Sequence, residues 1–504
     1  MAEADNDADL SGQFESKAES DTSRPEVVSR WLAELDLAYK QEKEWRDEAE
    51  KSREIYRAEK SGAKQRFNIL FSSIQTETTA LYNSTPTPDV RTRYNDENEV
   101  SRLASQAIER LLSYSVDTYP FDATIKAAVQ DRQLAGRGSA RVRYAPYTYE
   151  DKVYQQVVCE HTAWKHRRQG PCSRWEDLPW LAYEQFLTRE QLIALNPRIG
   201  AVVPLDMSLT DTSNKQSKPD TAPNVFRRAR VWEIWDKATL KVIWIAPGYA
   251  DAPLREDDDP LKLQGFFPEP EPLYAIKTSD SMVPVCPYRI IKPLVDELEE
   301  ITIRIQGLIK VCRWRGIRHP NIPSFELLSE ADDGELVAPV DGTELLSLVQ
   351  GGGLDKFVWL MPIDTLIKVI QELYQQREQI KQTIFEVSGL ADIMRGQTDP
   401  NETLGAQEIK ANFGTMRLQD SQKDVQRFCR DLFRMKAEIA CSKFDSENLK
   451  LMTGIELPSR MQVQQAQQQL MMMQRQAQMA QMQPPPQLQQ QPPRPQLPPP
   501  SMLQ

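Results

Sequence analysis

The chain has 504 residues, too long for one ordinary domain, and 40% of them are apolar, enough to build cores. Its 73 acidic residues outnumber the 62 basic ones for a net charge of −11, which argues against wrapping nucleic acid by neutralising phosphates. The densest apolar run, Val242–Ala246, has strand length, Met1–Leu10 is acidic without a secretory core, and the six cysteines are scattered; a soluble chain with free thiols, made in a cytoplasm and without a membrane partner, is expected.

Residues 1–25 predict a disordered acidic N-terminus. Ser23-Arg-Pro-Glu26 is a capping-box pattern opening a helix that carries Val27, Trp31, Leu35 and Ala38 and runs on to Ile55. Helices are expected over Phe67–Tyr82, stopped by Asn83-Ser-Thr-Pro-Thr-Pro88, and over Val100–Val116 and Phe121–Leu134, with a short strand at Asp89–Arg93. Gly136-Arg-Gly138 leads into strands at Ser139–Tyr144 and Tyr154–Cys159. Residues 160–225 read as turns with one short helix near Thr188–Leu195. Ala229–Trp235 and Leu240–Ala246 flank Asp236–Thr239 as a β-hairpin, and prolines make 247–287 extended segments and loops.

The strongest pattern lies between Pro287 and Thr403: helix, compact insert, helix, polar loop. The first helix, from near Pro293 to Arg318, places Ile291, Leu294, Leu298, Ile301, Ile305, Leu308 and Cys312 at alternating steps of three and four, the seam of a helix packed along another helix. The second, Ile363–Ser388, repeats the pattern with Ile363, Leu366, Ile370, Leu373, Ile380, Ile384 and Val387, interrupted by Arg377 and capped by Gly389. Asp296, Glu297, Glu299 and Glu300 in one half of the first helix, and Arg313, Arg315 and Arg318 at its end, complement the helix dipole. The insert, His319–Pro362, is rich in proline and glycine and predicts a small α/β module. The loop Leu390–Asn401 has few apolar anchors and offers Arg395, Gln397 and Thr398 to a shared space, where Arg395 and Gln397 can touch phosphate without reading sequence. A long helix, Glu402–Lys443, follows with Ile409, Phe413, Met416, Val425, Phe428, Leu432, Met435 and Ile439 as its apolar positions. Residues 459–482 are Gln/Met-rich, and from Pro484 the chain is polyproline-like low complexity.

Catalytic signals are weak. Ser61-Gly-Ala-Lys64 lacks the first glycine and the hydroxyl residue of a nucleotide-binding P-loop, and Gly136-Arg-Gly138 leaves a helix instead of opening one. Cys159, His161, His166 and Cys172 have metal-ligand chemistry at an unfamiliar spacing and read as ordinary strand and loop residues. Asp257–Asp259 falls in a proline-rich loop, a poor platform for a two-metal centre. No cofactor, no metal and no enzymatic activity are expected.

Three stretches in order carry a resemblance: Phe67–Gln75 followed by Pro86-Thr-Pro-Asp-Val90; Trp175-Glu-Asp-Leu-Pro-Trp180 with Leu187-Thr-Arg-Glu190; and Ile384–Gly396 with Glu402-Thr403. Over residues 26–458 the chain resembles the portal proteins of tailed bacteriophages, of the podovirus-like type. That resemblance implies a mainly helical α+β ring subunit. Residues 26–286 would form a wing, 287–318 and 362–388 two stem helices, 319–361 a clip and 389–402 a tunnel loop. Residues 403–458 would return to the wing, 459–482 would form a crown, and 483–504 a disordered tail. It implies a ring, usually of about twelve copies, at one capsid vertex of the virion. Such a ring is the conduit for DNA packaging and ejection, and double-stranded DNA passes it without sequence specificity. The implied partners are the terminase large subunit, the major capsid protein and scaffold, and a head–tail adaptor. Two other readings compete: a head–tail adaptor or tail-tube ring, and a metal-dependent DNA-processing enzyme.

Overall fold

The computed structural model describes residues 24–59, 67–92, 99–208, 227–312, 316–318, 350, 358–360, 363–389 and 404–455, with short pieces between 464 and 475. The chain is mixed α/β with more helix than strand.

The expected first helix is two, α1 (Arg24–Gln41) and α2 (Lys43–Tyr56), broken at Glu42. The break has a physical cause: the Glu42 carboxylate is buried on Arg46 and Arg137, and the turn sends the two helices to different cores. Next come α3 (Ile69–Leu81), capped by the Asn68 side chain accepting from the Phe71 N–H at 3.1 Å, then α4 (Glu99–Thr118) and α5 (Phe121–Ala135). Residues 89–92 form no strand; Val90 instead donates its N–H to Glu109 on α4.

Gly136 ends α5 at φ 91, and a Cβ there would lie 2.7 Å from the Val285 carbonyl oxygen, so glycine is required. The chain reverses into β1 (Arg137–Tyr144), which pairs antiparallel with β4 (Val157–Thr162) and β11 (Leu273–Tyr274). A hairpin of β2 (Tyr147–Tyr149) and β3 (Lys152–Tyr154) projects between β1 and β4, so the expected strand Tyr154–Cys159 is divided between two sheets.

A second antiparallel sheet contains β5 (Arg167–Gln169), β6 (Trp180–Leu187), β7 (Met207–Ser208), β8 (Arg227–Asp236), β9 (Lys241–Ile245) and β10 (Arg255–Asp258). Its order is β10-β9-β8-β6-β5, with β7 on β8. The eight-residue β6 replaces the expected turns, and β10 pulls Asp257 out of the expected loop into register with Val242. Between β6 and β7, α6 (Arg189–Leu195) starts from a Thr188 capping box.

Then follow α7 (Pro287–Val311), β12 (Gly316–Arg318), β13 (Val358–Leu360), α8 (Ile363–Ser388), α9 (Leu404–Lys443) and α10 (Ser446–Thr453). The first long helix therefore stops at Val311, not Arg318, because Gly316–Arg318 pairs antiparallel with Val358–Leu360. Most of the expected clip, the N-terminus, the tail and most of the crown lie outside the described residues.

The main core joins Phe121, Ile125 and Val129 of α5 to Val142, Leu181, Tyr183, Trp235 and Val242 of the sheets, closed by Val425, Phe428, Leu432 and Ile439 of α9. α9 runs unbroken through Gly405 and Gly414, and Met416 is exposed instead of joining that stripe. Among the described residues, no helix is long and apolar enough to cross a membrane.

Lys436 is an exception within the core. It is 2% exposed, its Nζ meets no hydrogen-bond partner, and it lies 5.6 Å from the Phe121 ring centre. Burial pushes its pKa below the ordinary lysine value of 10.5. Lys436→Met is expected to stabilise the protein by about 1–3 kcal/mol, the cost of an unsatisfied buried polar group. Between the lowered folded value and 10.5 the unfolded chain binds more protons, so the parent gains stability as pH rises there. Urea titrations across that window check both claims: the variant's advantage shrinks toward high pH.

Candidate functional site

α7 and α8 form an antiparallel pair. The start of α7 (Pro287, Tyr288, Ile291) and the end of α8 (Val387, Ser388, Gly389) line one cavity of about 490 Å³, while their other ends lead to paired β12 and β13. At 1.5 Å per residue each helix is roughly 37–39 Å long. Leu298, Ile301 and Ile305 of α7 are buried in one cluster with Leu373, Ile380 and Ile384 of α8. Leu294 and Leu308 are half-buried against that cluster, and Leu366 and Ile370 are half-buried toward the β13 end. Val387 is exposed, and Phe385 takes the buried place the pattern assigned to it. Gly389 has φ 78, the left-handed conformation of a helix-ending glycine. Arg377, which interrupts the apolar pattern, sets its guanidinium 5.1 Å from the Phe67 ring centre.

The outer faces of the pair are not purely charged. Ile309 and Val311 on α7, and Ile367, Val369 and Tyr374 on α8, are exposed among Glu297, Glu300, Lys368 and Glu372. Arg395, Gln397 and Thr398 lie outside the described residues, as do Arg313 and Arg315. Arg318 is the last residue of β12, and its side chain is likewise not described.

The pair is rooted in a dense base. Its cluster includes Trp45 of α2, Ile69, Leu70 and Ile74 of α3, and Leu134 and Ala135 of α5. Trp45 donates its Nε1–H to the Ala135 carbonyl at 2.6 Å and faces Trp164 edge-on. Behind it runs a buried ionic chain that the sequence pattern did not disclose. Arg137 donates to both Glu42 oxygens, at 2.8 and 3.3 Å, and Arg46 donates to Glu42 Oε2 at 2.6 Å and to the Arg167 carbonyl at 2.6 Å. Arg167 reaches Glu269 at 2.9 Å and Gln169 at 2.6 Å, and the Tyr183 hydroxyl donates to Glu269 at 2.9 Å. Burial alone would raise the Glu42 carboxyl, but the Arg137 and Arg46 guanidiniums outweigh it and hold its pKa at about 2. The Arg137 guanidinium also lies 4.4 Å from the Trp45 ring centre. The one available sequence signal was Arg137 set between two glycines: a Cβ at Gly138 would collide with the Ala128 carbonyl, so β1 approaches α5 backbone to backbone.

The metal-type residues are separately engaged. His161 Nε2 pairs with Asp131 at 2.8 Å, His166 Nδ1 with Glu184 at 2.8 Å, and Cys172 points at Met282 Sδ at 3.3 Å. Burial pushes the Cys159 thiol up to about 11 and Cys429 up to about 12, values that suppress thiolate chemistry near neutrality. Two further clefts open on the surface. One, of about 840 Å³, lies between residues 81–91, α4 and α9; the other, of about 540 Å³, lies between the two sheets. In the second, Arg141 pairs with Glu233 at 2.8 Å, Arg143 pairs with Glu160, and Arg255 pairs with Asp257 at 2.8 Å.

No protein-family model and no curated protein matches the chain. The functional reading therefore rests on the helix pair, its root and the resemblance of the motifs.

Proposed function

We propose that the chain is the subunit of a portal-type ring, the conduit for double-stranded DNA at one vertex of a viral capsid. The observation that carries this reading is the α7–α8 pair. It is zipped on its inner side by Leu298, Ile305, Leu373 and Ile380, yet it leaves Ile309, Val311, Ile367, Val369 and Tyr374 in water. Ile309 and Val311, like Ile367 and Val369, are two apart on a helix and face different ways, so the exposed apolar side chains are spread around the pair, where neighbouring tilted pairs on both sides in a ring would cover them. In this reading the sheets and α9 form the wing, α7 and α8 the stem, and β12–β13 the base of the clip. The clip end would meet the head–tail adaptor and the terminase large subunit, and the wing would meet the major capsid protein and scaffold. The acidic balance of the chain suits a lumen past which DNA slides without sticking.

Class averages of the purified protein test the proposal directly: rings with a central hole are expected, and a monodisperse monomer at micromolar concentration would overturn it. Within such a ring, Arg395 is proposed as a replaceable phosphate contact on the loop between α8 and α9. Arg395→Ala is expected to assemble normally and to package or retain less DNA, with Arg395→Lys recovering much of the loss because a phosphate contact tolerates a point charge. Full packaging and retention by Arg395→Ala particles would remove that role.

A further inference from the structure

The β2–β3 hairpin presents an aromatic surface that the fold leaves in water. Tyr147 and Tyr154 are cross-strand partners with rings stacked at 5.3 Å, and Tyr149 lies two residues along the same face, 60% exposed. Tyr114 of α4 is exposed close by; burial pushes the Tyr119 hydroxyl up to about 12, and both Tyr114 and Tyr147 are near enough to add to the shift. Leu451 on α10 is also exposed. The turn that closes the hairpin, Glu150-Asp151, is acidic, exposed and left-handed at both residues, with φ 47 and 61, so it holds two carboxylates at the rim of the tyrosines. Lys152 is the one cation on the hairpin.

The C-terminal end of the described fold lies against this hairpin. Asn448 donates to the Val153 carbonyl at 3.3 Å, Gln155 and Asp445 exchange hydrogen bonds of 2.7 and 3.0 Å, and Tyr144 lies beside Phe444. The start of α10 therefore lies beside the hairpin, and its end rests on α4, where Arg110 donates to the Thr453 carbonyl at 3.1 Å. Pro492, Pro495 and Pro498 then recur every third residue, the repeat of one edge of a polyproline II helix, and Arg494 is the only charged residue from Pro484 to Gln504. Flat aromatic surfaces with an acidic rim take proline-rich segments carrying one basic residue, because that helix is already extended and loses little entropy on docking. Thirty-eight residues separate Gly454 from Pro492, chain enough for the link to double back to the hairpin.

We infer that the hairpin tyrosines are a docking site for the chain's own proline-rich tail: Pro492, Pro495 and Pro498 lie across Tyr147, Tyr149 and Tyr154, and Arg494 pairs with Glu150 or Asp151. The contact lies outside every core, so deleting residues 484–504 leaves the melting temperature nearly unchanged while uncovering the tyrosines. Nitration of the full chain by tetranitromethane, followed residue by residue, should modify Tyr147 and Tyr149 several-fold more slowly than nitration of the deletion variant. A synthetic peptide of residues 484–500 should bind the deletion variant and restore protection. Tyr149→Ala, at an exposed position where the fold tolerates truncation, should weaken that binding at least tenfold, and an Arg494→Glu peptide should bind several-fold more weakly. Equal nitration rates with and without the tail overturn the inference. So does peptide binding unchanged by Tyr149→Ala, or a large fall in melting temperature on deletion.

Discussion

Arg137→Ala is expected to destabilise the protein by about 3–5 kcal/mol, the cost of leaving a buried charge without its partner. The guanidinium is fully buried, donates to both Glu42 oxygens and packs on Trp45, so its loss leaves Glu42 with Arg46 alone at the break between α1 and α2. Arg137→Lys should recover little, because one ammonium cannot reproduce a two-armed contact. The pair also predicts an acid limb. The carboxyl of Glu42 is held at about 2 against an ordinary 4.5, so its contribution is complete above 4.5 and is lost as pH falls through about 2. That contribution amounts to roughly 3 kcal/mol. Urea midpoints between pH 2 and 6 measure it: the parent should lose stability steeply below 4.5, and Glu42→Gln should show a shallower slope. Parallel slopes would show that other carboxylates govern acid unfolding.

Ile305→Ala should cost about 2–5 kcal/mol, because Ile305 is 3% exposed in the cluster shared with Leu373 and Ile380. Ile305→Asp should go further and separate α7 from α8, since a carboxylate would be forced into an apolar seam. Circular dichroism melts report the loss of stability, and the size of the proposed ring reports the separation of the helices. An Ile305→Asp protein that melts and assembles like its parent would mean that the helices are held together elsewhere.

The helix pair was legible because its cause is local: steps of three and four put Leu298, Ile301 and Ile305 on one face whatever the rest of the chain does. Its end was not legible, because the competing pairing of Gly316–Arg318 comes from a segment some forty residues later. β6 was missed for a related reason. Trp180 and Ala182 pack under α1 while Leu181 and Tyr183 enter the main core, so a strand buried on both faces shows no alternation. The ionic chain was invisible for the opposite reason: Glu42, Arg137, Arg167 and Glu269 are ordinary surface residues by composition, and only their meeting across long sequence separations makes them a core. The loop carrying Arg395, on which the proposed DNA contact depends, lies outside the described residues.

The placement of α1 has a consequence for the chain's handling. Val28, Trp31, Leu35 and Ala38 are the cover of a sheet face made by Trp180, Trp232, Ile234, Ile243 and Ile245. The chain is continuous from α1 to α2 through one residue, Glu42. A cut at that joint would detach the cover and leave its sheet standing, with two tryptophans and three isoleucines newly open to water. Such a truncated product would be sticky through that face, so aggregation of N-terminally clipped material should be read as a lost lid.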